Sequence, residues 1–147
     1  MKNFFLVLII SACLIFSGCT VNKMASRIVD NMEADVLKKL ENPEPDEEPK
    51  LNAQLADIYN AKAQFLMVNE PEKEEEAMAW LQQSVEICQK IIQQWPDAYA
   101  NDKFVRTRVN LTMGGNMFLM GNQDETAHWC SYIQDVDCPQ ILKELQQ

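Results

Sequence analysis

The segment EEEAMAWLQQSVEICQKIIQQWPDA, residues 74–98, decides the fold class of this chain. Its apolar residues recur every three or four positions, which is the period of an amphipathic α-helix. That stripe consists of Ala77, Leu81, Val85, Cys88, Ile92 and Trp95. The glutamates at its start suit the positive end of a helix dipole, and Pro96-Asp97 stops the helix and can cap the next one. The segment predicts a long helix that ends at Trp95 and buries one face against its neighbours.

The same period continues on both sides of this helix. We predict helices over residues 21–40, 51–68 and 98–120, a shorter helix from Asp124, and an apolar cluster at Ile141, Leu142 and Leu145 after a break at Pro139. Glycine is scarce and helix-forming residues dominate the composition. Gly114-Gly115 lies inside a predicted helix, for a conformational or packing reason. Because no segment alternates with a period of two, we predict no sheet and an all-α fold.

An internal repeat indicates how the helices are arranged. FLMVN, residues 65–69, and FLMGN, residues 118–122, each end a long helix just before a tight turn, and CQKII, residues 88–92, aligns with CPQIL, residues 138–142. We therefore predict tandem antiparallel helical hairpins, which bury their faces by stacking and leave a concave surface. The pattern resembles the tetratricopeptide class of helical repeats.

The first nineteen residues have the organisation of an export signal. Lys2 precedes an apolar run from Phe4 to Phe16. This run is shorter than the roughly 20 residues that a membrane-spanning helix needs, although a short transmembrane anchor is the competing interpretation. Ser17-Gly18-Cys19 then resembles the bacterial lipobox. The resemblance implies cleavage between Gly18 and Cys19 and lipidation of Cys19, whose acyl chains together anchor a protein stably.

The lipobox resemblance also implies a location. Thr20, rather than aspartate, follows the cysteine, which in the lipoprotein sorting pattern of Gram-negative bacteria implies the periplasmic side of the outer membrane. The chain then divides into a signal peptide, residues 1–18; a membrane-proximal amphipathic helix, residues 19–40; a linker rich in proline and acid, residues 41–50; and a helical-repeat domain, residues 51–147.

The charge balance excludes some partners. The formal net charge is −9, which disfavours nucleic acid and anionic lipid headgroups. The acidic residues concentrate in EPDEEP, residues 44–49, and EPEKEEE, residues 70–76. We interpret both runs as solvated surface, with a specific basic partner as the alternative.

A second resemblance begins at the lipobox. GCTVNKMASRIVDNM, residues 18–32, and LADIYNAKAQFLM, residues 55–67, resemble the opening of the lipoprotein T component of some tripartite ATP-independent periplasmic (TRAP) transporters. The resemblance implies a helical, tetratricopeptide-like protein that partners the periplasmic solute-binding subunit of the transporter.

The cysteines are compatible with three arrangements. Cys88, Cys130 and Cys138 remain once Cys13 is removed with the signal and Cys19 is lipidated. The first arrangement is a Cys130–Cys138 disulfide, which would have to close about 12 Å on a continuous helix, but Pro139 interrupts that geometry. The second is a bridge from Cys88 to either residue, and the third is a set of buried thiols.

No catalytic, metal or cofactor site is expected. His128, Cys130 and Asp135 match no zinc signature, and Ser131 or Cys130 with His128 as base would lack a third orienting group. We therefore predict a non-catalytic binding or scaffold lipoprotein that contacts another envelope protein. Its contact surface is the concave side lined by residues 51–68 and 98–120, with Tyr59, Asn60, Arg106 and Asn110 as candidate polar contacts. A carrier of a small apolar or anionic ligand between hairpins, an envelope-assembly adaptor and an enzyme are the competing functions.

Overall fold

The computed structural model describes residues 19–133, which form six α-helices packed against one another and contain no strand. The helices are α1 (Cys19–Leu40), α2 (Glu48–Asn69), α3 (Glu74–Gln94), α4 (Pro96–Asn101), α5 (Lys103–Leu119) and α6 (Gln123–Cys130), with a 3₁₀ turn at Pro71–Lys73. The all-α prediction is confirmed. The signal peptide, the CPQIL repeat segment and the predicted apolar cluster at residues 141–145 lie outside the described residues. Within residues 19–133, no helix is both long and apolar enough to cross a bilayer.

Helix α2 lies at the centre of the stack and packs against α1, α3 and α5. Ser84 of α3 meets Ala56, and the Lys62 ammonium lies over the ring of Trp80, so α2 and α3 run antiparallel. Asp57 pairs with Arg108, and Asn60 with Asn116, so α2 and α5 run in the same direction. A turn at residues 120–122 joins α5 to α6. Two hairpins in tandem, α2–α3 and α5–α6, follow from these contacts.

The main core lies where α2, α3 and α5 meet. Its fully buried residues are Ala53, Ala56, Cys88, Ile91, Val105, Val109 and Met113. The small alanines of α2 let the other two helices approach closely. On α3 the buried face is rotated slightly from the predicted stripe, since Ser84 and Ile91 are buried while Val85 and Ile92 are only partly so.

Helix α1 belongs to the same packed unit as the hairpins. Its Val36 is buried in a cluster with Leu51, Leu55 and Ile58 of α2. The predicted linker between the two helices is also shorter than residues 41–50, because α2 already begins at Glu48. Pro49 occupies the first turn of α2, where a missing backbone donor costs no hydrogen bond. The proline-rich segment therefore makes a tight corner and does not set α1 apart from the stack.

The predicted helix over residues 98–120 is broken in two at Asp102. This residue has an extended backbone (φ −86°, ψ 109°), and its side chain accepts hydrogen bonds from the backbone N–H groups of Phe104 (2.8 Å) and Val105 (3.3 Å). Such a cap satisfies donors that a helix start otherwise leaves unpaired. The cap of α5 is therefore Asp102, and Asp97 lies within the short helix α4.

The turn that ends α5 follows the sequence prediction. Gly121 has φ +76°, a backbone conformation that glycine adopts at little cost. Asn122 then caps α6 by accepting a hydrogen bond from the N–H of Glu125 at 3.2 Å.

Candidate functional site

A cleft opens where α1, α2 and α3 meet, with a volume of about 190 Å³. Its walls come from the amino-terminal half of α1, the carboxyl-terminal half of α2 and the turn that leads into α3. The lining residues are Ser26, Val29, Asp30, Lys62, Phe65, Leu66, Glu70, Lys73, Glu76 and Trp80. The cleft thus combines apolar walls with charges of both signs.

Lys62 is the charged group held most firmly in the cleft. Its Nζ lies 3.1 Å from Asp30 Oδ1, forms a second ion pair with Glu33, and stands 4.7 Å from the centroid of the Trp80 ring. The Lys62 side chain is only 16% exposed. Burial lowers the pKa of Lys62, but the hydrogen bonds to Glu33 and Asp30 outweigh it, so this pKa lies above its ordinary value. Lys62 is therefore an ammonium cation at neutral pH.

Tyr59 borders this ionic group on the same helix. Its ring centroid lies 4.9 Å from that of Trp80. Burial and the neighbouring Glu33 raise the pKa of the phenol above its ordinary value. With Tyr59 and Lys62 both protonated at neutral pH, neither is a base or a nucleophile. The arrangement can bind charged and apolar groups, and at neutral pH these two residues can donate hydrogen bonds but not accept a proton.

The mouth of the cleft is more exposed to solvent. Lys73 pairs with Glu70 there, and the exposed Glu76 lies nearby. Val29, Phe65 and Leu66 supply apolar lining to the cleft. A cleft of this size fits one large side chain or a small molecule, since well-packed pockets at interfaces typically receive single anchor residues.

The structure does not bring the four predicted partner-binding residues onto one surface. Tyr59 lies beside the cleft. Asn60 donates to Asn116 Oδ1 at 2.7 Å between α2 and α5, and Arg106 donates to the backbone carbonyl of Ala100. Asn110 is 1% exposed and accepts a hydrogen bond from the Tyr99 hydroxyl at 2.8 Å, so it cannot serve as an external contact.

A chain of hydrogen bonds, here called the amide chain, explains why Asn60 faces inward. Gln64 donates to Asn60 at 2.7 Å, Asn60 to Asn116 at 2.7 Å, and Asn116 to Ser84 at 2.9 Å. The Ser84 hydroxyl in turn donates to the backbone carbonyl of Ala56 at 2.7 Å. The amide chain ties α2, α5 and α3 together in the interior, where every unpaired polar group would carry a desolvation cost.

The predicted concave side of α2 and α5 is lined by other residues. The two helices pack directly on each other, and Asp57 pairs with both Arg108 and Thr112 across them. The outward side of α5 carries Phe104, Leu111 and Phe118, of which Phe104 is 40% and Phe118 38% exposed. Sequence reasoning missed this row although its seven-residue spacing is a readable signal, because the inward stripe of the same helix dominated the pattern.

The cysteine and histidine predictions have different outcomes. Cys88 is a free thiol buried in the main core, where burial raises its pKa, and it is not bridged to Cys130; a bridge to Cys138 lies outside the described residues. The predicted Cys130–Cys138 pair lies outside the described residues because Cys138 does, and so does Asp135 of the rejected metal site. His128 stacks edge-on against Trp129 and Tyr132. Over residues 19–133, no three potential ligands converge on a metal position.

Comparisons with protein-family models, curated proteins and solved structures found no match for this chain. The resemblance to the TRAP-associated lipoprotein therefore rests on residues 18–32 and 55–67 alone.

Proposed function

We propose that the chain is a non-catalytic binding lipoprotein, anchored by lipid on Cys19 to the periplasmic side of the outer membrane, whose cleft receives a side chain of another envelope protein. The observation that carries the proposal is the Lys62 ammonium, which is held on the Trp80 ring by Asp30 and Glu33 in the wall of a cleft that has both apolar and charged lining residues. A fixed charge beside an apolar pocket gives a docking site both affinity and orientation.

The protonation of Lys62 and Tyr59 supports binding over catalysis. Amine nucleophiles and bases in enzymes have lowered pKa values, whereas the pKa values of these two groups are raised. The protonation states of Lys62 and Tyr59 therefore suit binding better than proton transfer.

The place of the cleft along α1 supports a partner at the membrane surface. Ser26 and Asp30 line the cleft, and α1 is helical from Cys19 onward. At 1.5 Å per residue, these side chains lie about 10–17 Å along the helix from the proposed lipid. The most concrete version of the partner is the periplasmic solute-binding subunit of a TRAP-type transporter, which the sequence resemblance implies.

A site-specific photocrosslink tests the docking proposal. Benzoylphenylalanine at Phe65, introduced into the full-length chain in intact cell envelopes, should form an adduct with another envelope protein. The same label at Gln83, an exposed residue of α3, is the control and should form none. Lys62→Met should abolish the adduct at position 65. Irradiation that yields no protein adduct at that position would reject docking in the cleft.

A small-molecule carrier is a second candidate function, and the volume of the cleft favours it. A volume of about 190 Å³ is smaller than that of most ligand pockets but is sufficient for a molecule the size of a single aromatic ring. Native mass spectrometry of the purified protein should then show a bound small molecule that is lost in Trp80→Ala. A mass equal to that of the protein alone, together with the Phe65 crosslink, would favour protein docking.

The anchor has its own test. Cys19→Ser should release the chain from membranes while leaving its helical circular dichroism unchanged, because α1 packs on α2 through Val36, far from its first turn. Tight membrane fractionation of Cys19→Ser would contradict the lipid anchor.

A further inference from the structure

We propose that the outward side of α2 and α5 is the interface of a two-fold symmetric homodimer. In this dimer the α5 helices of two copies lie antiparallel, with Leu111 near the axis. The surface is separate from the cleft, and the inference does not depend on the proposed function.

Helix α5 has two apolar sides, and the outer one is partly exposed, with the Arg108 guanidinium 4.7 Å from the centroid of the Phe104 ring. Val105, Val109 and Met113 face the main core. Phe104, Leu111 and Phe118 are seven residues apart, so they share the opposite side of the helix, in a row about 21 Å long. On α2, Val68 is 60% exposed and lies on the same helical side as Asp57, which pairs with Arg108 of α5. A row this long is more than the isolated apolar residues that any protein surface carries.

The order of residues in the row fits a second copy of the same chain. A two-fold interface needs a surface that is complementary to itself, so that residue i meets residue j and j meets i. The row has an aromatic ring at each end and the smaller Leu111 midway between them. A two-fold axis at Leu111 therefore places Phe104 of each protomer against Phe118 of the other, which gives two equivalent contacts. Seven-residue spacing is also the repeat by which paired helices interlock their side chains.

Charge complementarity favours the same antiparallel arrangement. Helix α5 carries Lys103, Arg106 and Arg108 and no carboxylate, in a chain of net charge −9. Arg108 is neutralised by Asp57, and Arg106 donates to the backbone carbonyl of Ala100 on the other side of the helix. Lys103, next to Phe104, is therefore the positive charge of this end. The Phe118 end is followed by Asp124 and Glu125 in the first turn of α6. Antiparallel pairing brings the basic end of each copy to the acidic end of the other, whereas parallel pairing would bring like charges together.

The first experiment reads the contact directly. Benzoylphenylalanine replaces Leu111 in the full-length chain, and intact envelopes are irradiated. We expect an adduct of twice the chain mass, in which residue 111 is joined to residues 104–118 of the second copy. The same label at Gln82, an exposed residue of α3, should give no dimer. An adduct only with lipid or with a different protein, a link to another segment of the chain, or no adduct at all would overturn the proposal.

The second experiment uses charge exchange to test the antiparallel register. Lys103→Glu and Asp124→Lys should each weaken self-association of the purified full-length chain several-fold in sedimentation velocity. The two together should restore it. Double-variant association no stronger than that of either single variant would exclude this register.

A third variant measures the centre of the interface. Leu111→Lys places like charges on the axis and should weaken dimerisation by about 100-fold or more. Circular dichroism verifies that the variant is folded. A folded Leu111→Lys protein that remains dimeric at the same concentration would overturn the proposal. If the Leu111→Lys variant does not fold, the crosslink at position 111 tests the interface instead.

Discussion

Helices α2 and α3 form two junctions, one with α5 and one with α1, and the polar residues differ between the two. Where α2 and α3 meet α5, the amide chain of Gln64, Asn60, Asn116 and Ser84 is neutral, and Asn116 and Ser84 are fully buried. Where the same two helices meet α1, the polar groups are ions, and they line a cleft open to solvent. The two junctions differ because α5 packs closely on α2 and α3, whereas α1 leaves a cleft that is open to solvent.

The comparison shows which polar residues hold the fold and which are available to a ligand. Each inner group of the amide chain has its hydrogen bond within the protein, so the chain specifies how the three helices register. The ions of the cleft are also paired, but Asp30 remains more than half exposed and can exchange partners. We therefore expect substitutions in the amide chain to act on stability, and substitutions in the cleft to act mainly on binding.

The largest expected effect is at Asn116. Asn116→Leu removes the hydrogen bonds to the partly buried Asn60 amide and to the buried Ser84 hydroxyl, which keep only their bonds to Gln64 and Ala56. We expect a loss of about 3 kcal/mol in the free energy of unfolding, measured by urea denaturation. Asn31→Leu on the exposed side of α1 is the control and should change this free energy little. A loss below about 1 kcal/mol at Asn116 would mean that the amide chain does not hold the junction together.

Lys62 provides the matching test in the cleft. Lys62→Met keeps most of the apolar stem but leaves Asp30 and the largely buried Glu33 without their cation. We expect a loss of about 1–2 kcal/mol, smaller than at Asn116 because water reaches the carboxylates. Amide hydrogen exchange should accelerate in α1 and not in α5. Lys38→Met, on the exposed side of α1, controls for the loss of a charge. Equal losses at Lys62 and Asn116 would remove the contrast between the junctions.

The pH dependence separates the two junctions by their chemistry. The pKa of Lys62 is raised in the folded chain, so its stabilising contribution is complete below the ordinary pKa of 10.5 and is lost as pH rises through the folded value. The stability difference between wild type and Lys62→Met should therefore shrink above about pH 10.5. The difference for Asn116→Leu should stay constant, since no proton is exchanged. If the stability differences of Lys62→Met and Asn116→Leu from wild type changed with pH in the same way, the pH dependence could not be assigned to Lys62.

The smallest effects are expected at the paired glycines of α5. A Cβ at Gly114 would make ordinary contacts with Cys130 and Trp129 at 3.7–3.8 Å, whereas one at Gly115 would lie 3.4 Å from the amide of Asn60. Gly114→Ala should therefore stabilise the protein by about 0.5–1 kcal/mol through helix propensity. Gly115→Ala should gain less, because it pushes on the amide chain. Thermal denaturation of both variants gives the comparison, and a larger gain at Gly115 would refute it.

The sequence was sufficient to predict the helices but not their contacts. Apolar periodicity located α1, α2, α3 and α5 within a few residues, because each buries one continuous side. The break at Asp102 was missed because the hydrophobic period runs through it, and only the local hydrogen bonds of the cap interrupt the helix.

The sites were less predictable because their residues are distant in the chain. Asp30, Lys62 and Trp80 belong to three different helices, and no periodicity links them. Ser84 and Asn116 occur among polar helix residues that usually face water, so no local pattern indicates that they pair in the interior. Asn60 and Asn110 were assigned to a binding surface for the same reason. Phe104, Leu111 and Phe118, by contrast, could have been found from spacing alone.

Helix α1 runs without interruption from Cys19 to the corner before α2. Many tethered proteins hang from a flexible leader and sample all orientations about it. With acylation of Cys19 as proposed, the first turn of this rigid helix would instead emerge from the bilayer itself, and Val36 fixes the helix to the body of the protein. The tilt and rotation of the whole molecule relative to the membrane would then be restricted. Neighbouring copies would meet in the plane of the membrane and would present the same side to one another.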